Sequence, residues 1–178
     1  SLGLVDAAQA LAADKAVVLW VDTFNGHFET ENAVDAVRVL QAAGYAVHVP
    51  GLAGAPLCCG RTWLATGMAA AAKAQAGRLV AALLPFAQRG IAVVGLEPSC
   101  LLSLRDEALV MGLGDTATTV AGQALMFEEF IAREARAGRF APAFKPATRP
   151  LKVHGHCHQK AFGVMPAVLE VLTLIPGA

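Results

Sequence analysis

The stretch that decides the fold is "IAVVGLEPSC", residues 91–100. Its first six residues, Ile91 to Leu96, are almost wholly apolar and of strand length. Such a run predicts a strand buried on both faces, as found in parallel sheets covered by helices. Glu97, Pro98 and Ser99 stop it, and Cys100 follows at once. A thiol just beyond the carboxyl end of a buried strand sits where parallel α/β sheets gather their working residues.

Reading outward, the same unit recurs. "AVVLWVD" (residues 16–22) is a first strand and "ETENAVDAVRVLQAAG" (29–44) an amphipathic helix. Ala33, Val34, Val37, Leu40 and Gln41 mark its face, with Thr30 as N-cap and Gly44 as stop. "YAVHVP" (45–50) is a second strand. A long helical region follows over 61–90, in which Gly67 and Gly77 lower helix propensity. After the third strand, 101–114 predicts a short helix and 118–138 a longer one, with Leu125, Phe127, Phe130 and Ile131 near one face. A proline-rich connection (139–150) leads to "LKVHGH" (151–156), read as a fourth strand, and to a final helix interrupted at Pro166. Strands alternating with helices predict an α/β fold, a parallel four-stranded Rossmann-like sheet with helices on both faces. Strand one or three is expected at its centre. The domain reading is a helix or arm over 1–15, an α/β unit over 16–149, and the start of a second, truncated unit over 150–178.

Composition narrows the function. Of the 178 residues, 56% are hydrophobic and 16% charged, which supports a packed core and excludes disorder. The 14 basic and 14 acidic residues cancel, so the chain has no electrostatic footprint for nucleic acid. The longest clean apolar runs, such as Ala16–Val21, are of strand length, and residues 1–16 lack the pattern of a signal peptide. The expected setting is therefore a reducing cytoplasm. There, sparse but clustered cysteines point to metal or catalysis rather than to structural disulfides.

The cysteines cluster on the predicted map. Cys58 and Cys59, in "APLCCGRTW" (55–63), follow strand two; Cys100 follows strand three; Cys157 follows the predicted strand four. All four are expected at the carboxyl edge of one sheet, although Cys58 and Cys157 lie about a hundred residues apart. Gly60 and Gly155 would let backbone approach a bulky group. A shared soft-metal site is one reading; structural thiols, which are commonly buried, are the other. Adjacent cysteines chelate one tetrahedral ion poorly but can ligate different irons of a cluster, which favours iron–sulfur, with zinc on Cys157 and a histidine as the alternative. His154, His156 and His158 would share one side of a strand and serve as ligands, proton carriers or helix-end polar groups. His27 follows strand one at the same sheet end. Arg61 and Arg105 lie near the cysteines, where they would either stabilise thiolate charge or form surface ion pairs.

The segments 17–46 and 151–178 both run strand, polar turn, helix, glycine, and Thr23 falls where Cys157 falls. This half-repeat predicts a longer protein in which a second strand and a second CCG follow.

"PLCCGRTW", "GLEPSCLLSLRDE" and "VHGHCHQKA" together resemble the cysteine-rich CCG domain. That domain occurs in the cysteine-rich component of heterodisulfide reductase, in the iron–sulfur components of glycolate oxidase and anaerobic glycerol-3-phosphate dehydrogenase, and in lactate-utilisation proteins. The resemblance runs from about Val17 onward and is nearest to the C-terminal region of bacterial fusion proteins. Those join an FAD-linked oxidase domain and a ferredoxin-type 4Fe–4S domain to this region. It implies that Cys58, Cys59 and Cys100 match a first C…CCG…C repeat and that Cys157 opens a second, the four cysteines being metal ligands. Thr23 departs from the pattern, standing where many relatives have the first cysteine, and the second CCG is missing. The chain purified in air is therefore expected to hold no complete cluster.

The implied role is electron transfer within an FAD-dependent 2-hydroxyacid oxidoreductase acting on glycolate, lactate or 2-hydroxyglutarate. FAD belongs to a separate domain, no G-x-G-x-x-G follows the first strand, and the acceptor is a quinone or another carrier. Any membrane association would be peripheral, at the inner membrane. The alternatives are a cluster-free thiol-redox or zinc-binding domain and a structural docking domain.

Overall fold

The computed structural model describes residues 2–52 and 54–178. In chain order the elements are α1 (Ala7–Ala12), β1 (Ala16–Leu19), α2 (Thr23–His27), α3 (Thr30–Ala42), β2 (Ala46–His48), α4 (Arg61–Ala65), α5 (Ala69–Gln88), β3 (Val93–Gly95), α6 (Pro98–Leu102), a 3-10 turn (Ser103–Arg105), α7 (Glu107–Val110), α8 (Asp115–Ala121), β4 (Ala124–Met126), α9 (Phe127–Arg136), α10 (Cys157–Ala161) and α11 (Met165–Leu172). The sheet is parallel throughout, in the order β2-β1-β3-β4, so strands one and three are both central.

Alternation along β1 splits the core into two layers. Val17 and Leu19 face α3 and α9, packing with Val37, Leu40, Phe130 and Ile131. Val18 and Trp20 face α5 and α6, packing with Leu79, Leu83, Leu101 and Leu102. Period-2 strands thus carry helices on both faces. The chain moves from β1 to β2 through α3 on one face, then from β2 over β1 to β3 through α5 on the other. That reversal is what right-handed crossovers require.

Four features differ from the sequence reading. The fourth strand is β4, inside the stretch 118–138 read as one helix. Gly122 and Gln123 end α8, and Ala124–Met126 pairs with β3 before α9 begins. Residues 151–156 form no strand; Leu151 and Val153 are exposed at 46% and 45%. The alternation there is real but has no partner strand. In α3, Thr30 is the first helical residue and Glu29 the N-cap; the buried face is Ala36, Val37 and Leu40, with Ala33, Val34 and Gln41 half-buried beside it. Gly44 ends it as expected, at φ +83°. The long helical region is two helices, since Gly67 at φ +80° separates α4 from α5.

The flanks are tied to this sheet. The Val5 N–H donates to the Val47 carbonyl (3.0 Å), docking the N-terminal arm on the edge of β2, and Asp6 caps α1. At the C-terminal side α11 packs on α9 and α10 on α6. The Arg136–Glu170 ion pair and an Ala147 N–H bond to the Pro176 carbonyl close that end. Pro166 stands in the first turn of α11, the restart expected there. A buried polar knot joins β2 to α9. The Glu134 carboxylate accepts from Tyr45 Oη (2.7 Å), Arg139 Nε and Nη2 (2.7 and 2.9 Å) and Arg133 Nε (2.9 Å). The Arg139 guanidinium is the main reason that the Glu134 carboxyl is held down to about 2, with burial opposing it. Among the described residues no helix is long and apolar enough to cross a membrane.

Candidate functional site

The site is built at the carboxyl ends of β1, β2 and β3, around the crevice where the chain reverses direction between β1 and β3. From β1 comes Asp22, 3% exposed. Its carboxylate accepts the N–H groups of Phe24 (2.8 Å) and Asn25 (3.2 Å) and the Asn25 amide (2.6 Å). That N-cap fixes α2 and so sets Thr23, its first residue, at the strand end. His27 closes α2 and is exposed. Thr23 and His27 share a cavity of about 220 Å³ with Asp22, Val49, Pro50 and Leu57.

From β2 comes the loop carrying the adjacent cysteines. Trp20 Nε1 donates to the Leu57 carbonyl (3.2 Å), and Arg78 Nη2 reaches the carbonyls of Ala55 and Pro56. Gly60 then turns the chain into α4 at φ +85°. A Cβ there would overlap the Ala72 carbonyl oxygen and lie 3.1 Å from both its carbonyl carbon and Cα. The glycine of CCG is thus required twice, by its left-handed backbone and by the close approach of α5.

From β3 comes α6. Glu97 caps it: Oε2 accepts the Cys100 N–H (2.7 Å) and the Ser99 hydroxyl (2.6 Å), with Pro98 in the first turn. This places Cys100, 7% exposed, inside the core. Ser103 Oγ donates to the Cys100 carbonyl (2.7 Å).

These three elements bring Thr23, Cys58, Cys59 and Cys100 together. Cys59, 5% exposed, lies beside Cys100, Ser103, Cys58 and the Arg61 backbone N–H, all of which act on its thiol. The Cys100 thiol beside it is the largest reason that Cys59 is pulled down to about 6, against the opposing effect of burial. The same contact, with burial and the charges of Cys59, Glu97 and Asp22, pushes Cys100 up. The two thiols therefore titrate as a pair, with Cys59 the more acidic member and Cys100 the less acidic. Cys58 is half-buried, accepts the Gly60 N–H (3.4 Å) and touches Thr23; burial pushes its thiol up.

The arginines serve mainly as ion pairs. Arg61 Nη1 pairs with Glu107, and Arg105 Nη1 pairs with Glu129 at 2.7 Å. Arg61 reaches Cys59 through its main-chain N–H.

Cys157 is the exposed cysteine. It opens α10, and the packing of α10 on α6 carries it to the same end of the sheet, although no strand precedes it. Its sulfur meets Nδ1 of His156 (3.8 Å) and of His158 (3.5 Å). The expected strand face of three histidines is corrected: His154 is exposed in irregular chain, His156 is the N-cap of α10, and His158 lies in its first turn. The rings of His156 and His158 stack with centroids 5.2 Å apart.

Asp22, Glu97, Ser103 and Glu128 escaped the sequence reading. Asp22 before Thr23 and Glu97 before Pro98 carry N-cap signals, and Ser103 stands one helical turn after Cys100. Glu128 accepts from Gln159 (3.3 Å), linking α9 to α10, and its other oxygen is buried without a hydrogen-bond partner. Nothing in the local sequence signals that role.

Comparison with models of protein families, with curated proteins and with solved structures returns no match.

Proposed function

We propose that this chain is an iron–sulfur electron-transfer module of an FAD-dependent 2-hydroxyacid oxidoreductase. The observation that carries this reading is the convergence of Cys58 and Cys59, from the loop after β2, with Cys100, from α6, at one end of the sheet, with Thr23 beside Cys58. The donor chemistry suits iron–sulfur ligation: three neighbouring sulfurs, Cys59 the most acidic of them, backed by backbone N–H donors from Gly60 and Arg61. Thr23, beside Cys58, would offer only a hydroxyl where a fourth thiolate would complete the ligand set, so a cluster held by these residues would be labile in air. When bound, the cluster supplies a one-electron carrier.

The chain's own residues do the rest. Cys58, Cys59 and Cys100 would hold the iron. The N–H groups of Gly60 and Arg61 point at their sulfurs and would raise the reduction potential by stabilising negative charge. Trp20, Leu79 and Leu101 share one buried apolar cluster with Cys59 and Cys100, which keeps water from those two sulfurs. Cys157 belongs to a second ligand set beside α6. The flavin and ferredoxin-type domains, the hydroxyacid and a quinone-like acceptor lie outside these residues in this reading.

Anaerobic reconstitution with iron and sulfide tests it. Iron and inorganic sulfide should stay with the chain in equal amounts after desalting, and Cys58→Ser, Cys59→Ser or Cys100→Ser should each abolish most of that uptake. Uptake that ignores all three substitutions would overturn the reading.

A further inference from the structure

Three neighbouring side chains at the start of α10 carry metal-ligand chemistry of their own. The Cys157 sulfur is exposed and lies 3.5 Å from His158 Nδ1 and 3.8 Å from His156 Nδ1. One donor atom from each of the three residues falls within 4.8 Å of the others. A zinc-type ion bonds sulfur at about 2.3 Å and imidazole nitrogen at about 2.0–2.1 Å. At a tetrahedral angle those lengths put sulfur and nitrogen about 3.6 Å apart. The two observed sulfur–nitrogen edges bracket that value, and all three donors lie within 4.8 Å of one another.

The chain supports this arrangement from behind. Gln159, 8% exposed, accepts the His156 backbone N–H at Oε1 (3.0 Å) and donates through Nε2 to Glu128 (3.3 Å). The backbone that carries the three ligands is thereby tied to α9. His156 Nδ1 also accepts the His158 N–H (3.1 Å). An ion on Nδ1 replaces that bond, while the Gln159 bond keeps the helix start in place.

We propose that His156, Cys157 and His158 form a mononuclear site for a divalent transition ion of the zinc type, with its fourth position open to solvent. One thiolate and two imidazoles select zinc or cobalt over magnesium and calcium, which demand oxygen ligands. Binding forms the metal–sulfur bond and releases the thiol proton to solvent. The site uses none of Cys58, Cys59 and Cys100, so it stands whether or not those three hold a cluster.

The test is anaerobic titration of the reduced, metal-free chain with cobalt(II). One equivalent should produce the visible bands of four-coordinate cobalt and a near-ultraviolet thiolate-to-cobalt charge-transfer band. Zinc(II) should bleach both. Cys157→Ser should remove the charge-transfer band, and His158→Ala should weaken binding by about tenfold or more. Alkylation of Cys157 in the unaltered folded chain should also remove the band, which separates loss of the ligand from loss of the fold. A charge-transfer band that survives both Cys157→Ser and alkylation places the metal on other thiols and overturns the proposal. Absence of any such band with excess cobalt overturns it as well.

Discussion

Replacing Gly60 by alanine strikes the turn that presents the adjacent cysteines. Two costs can be separated. The residue sits at φ +85°, where an L side chain costs about 1–2 kcal/mol. The lower entropy of the unfolded alanine chain offsets about 0.5 kcal/mol of that. The second cost is steric: the new Cβ would overlap the Ala72 carbonyl oxygen, and backbone of the 20-residue helix α5 cannot swing aside as a side chain can. Overpacking of this kind costs about 1–3 kcal/mol. Gly60→Ala should therefore destabilise the protein by about 2–4 kcal/mol. Gly90, at φ +71° with open space around its Cβ position, supplies the control. Gly90→Ala should cost only the backbone share, about 1 kcal/mol. Urea unfolding of the two variants and the parent measures both values. Equal losses at Gly60 and Gly90 would show that contact with α5 does not constrain the CCG turn, and would refute the packing argument.

Iodoacetamide followed by peptide mapping should modify Cys157 first and Cys58 next. Cys59 and Cys100, 5% and 7% exposed, should react only as the protein opens, so either one leading would contradict the burial order. Thr23→Cys should add a fourth thiolate beside Cys58 and prolong retention of reconstituted iron in air; unchanged retention would remove Thr23 from the ligand set. Glu134 governs an acid limb of stability. Its carboxyl lies at about 2 in the folded protein against 4.5 for the free group, so its contribution is complete above about pH 4.5 and is lost as pH falls towards 2. At full strength that fall corresponds to roughly 3 kcal/mol, but Arg133 and Arg139 are 44% and 56% exposed, and screening reduces it to about 1–2 kcal/mol. Thermal melts of the parent and of Glu134→Gln across this range should converge at low pH; parallel curves would be the contrary result.

Much of the fold is legible because local signals and burial agree. Val93 and Val94 are apolar on both sides because helices cover both faces, so an unbroken apolar run marks β3 correctly. β4 is hidden because its three residues lie in an apolar stretch whose spacing also fits a helix, and only pairing with β3 decides between them. The stretch 151–156 shows the converse. Its alternating Leu151 and Val153 satisfy the local pattern of a strand, but pairing is a long-range event and none is available there. The site follows the same division. Loops after successive parallel strands must meet at one end of the sheet, so the meeting of Cys58, Cys59 and Cys100 is topological and can be read from strand order. A strand would also bring His156 and His158 to one side, but their meeting arises instead at a helix start, where one residue caps and the other enters the first turn. The burial of Glu128 depends on α10 returning to α9, which no local pattern announces.

The central claim is that Cys58, Cys59 and Cys100 hold an electron-carrying cluster. Its most direct test is a reductive titration of the anaerobically reconstituted chain, followed by low-temperature electron paramagnetic resonance. The account predicts a reversible one-electron change with an iron–sulfur signal that disappears in Cys59→Ser. A reconstituted chain that takes up no electron reversibly, or a signal that persists in Cys59→Ser, would contradict it.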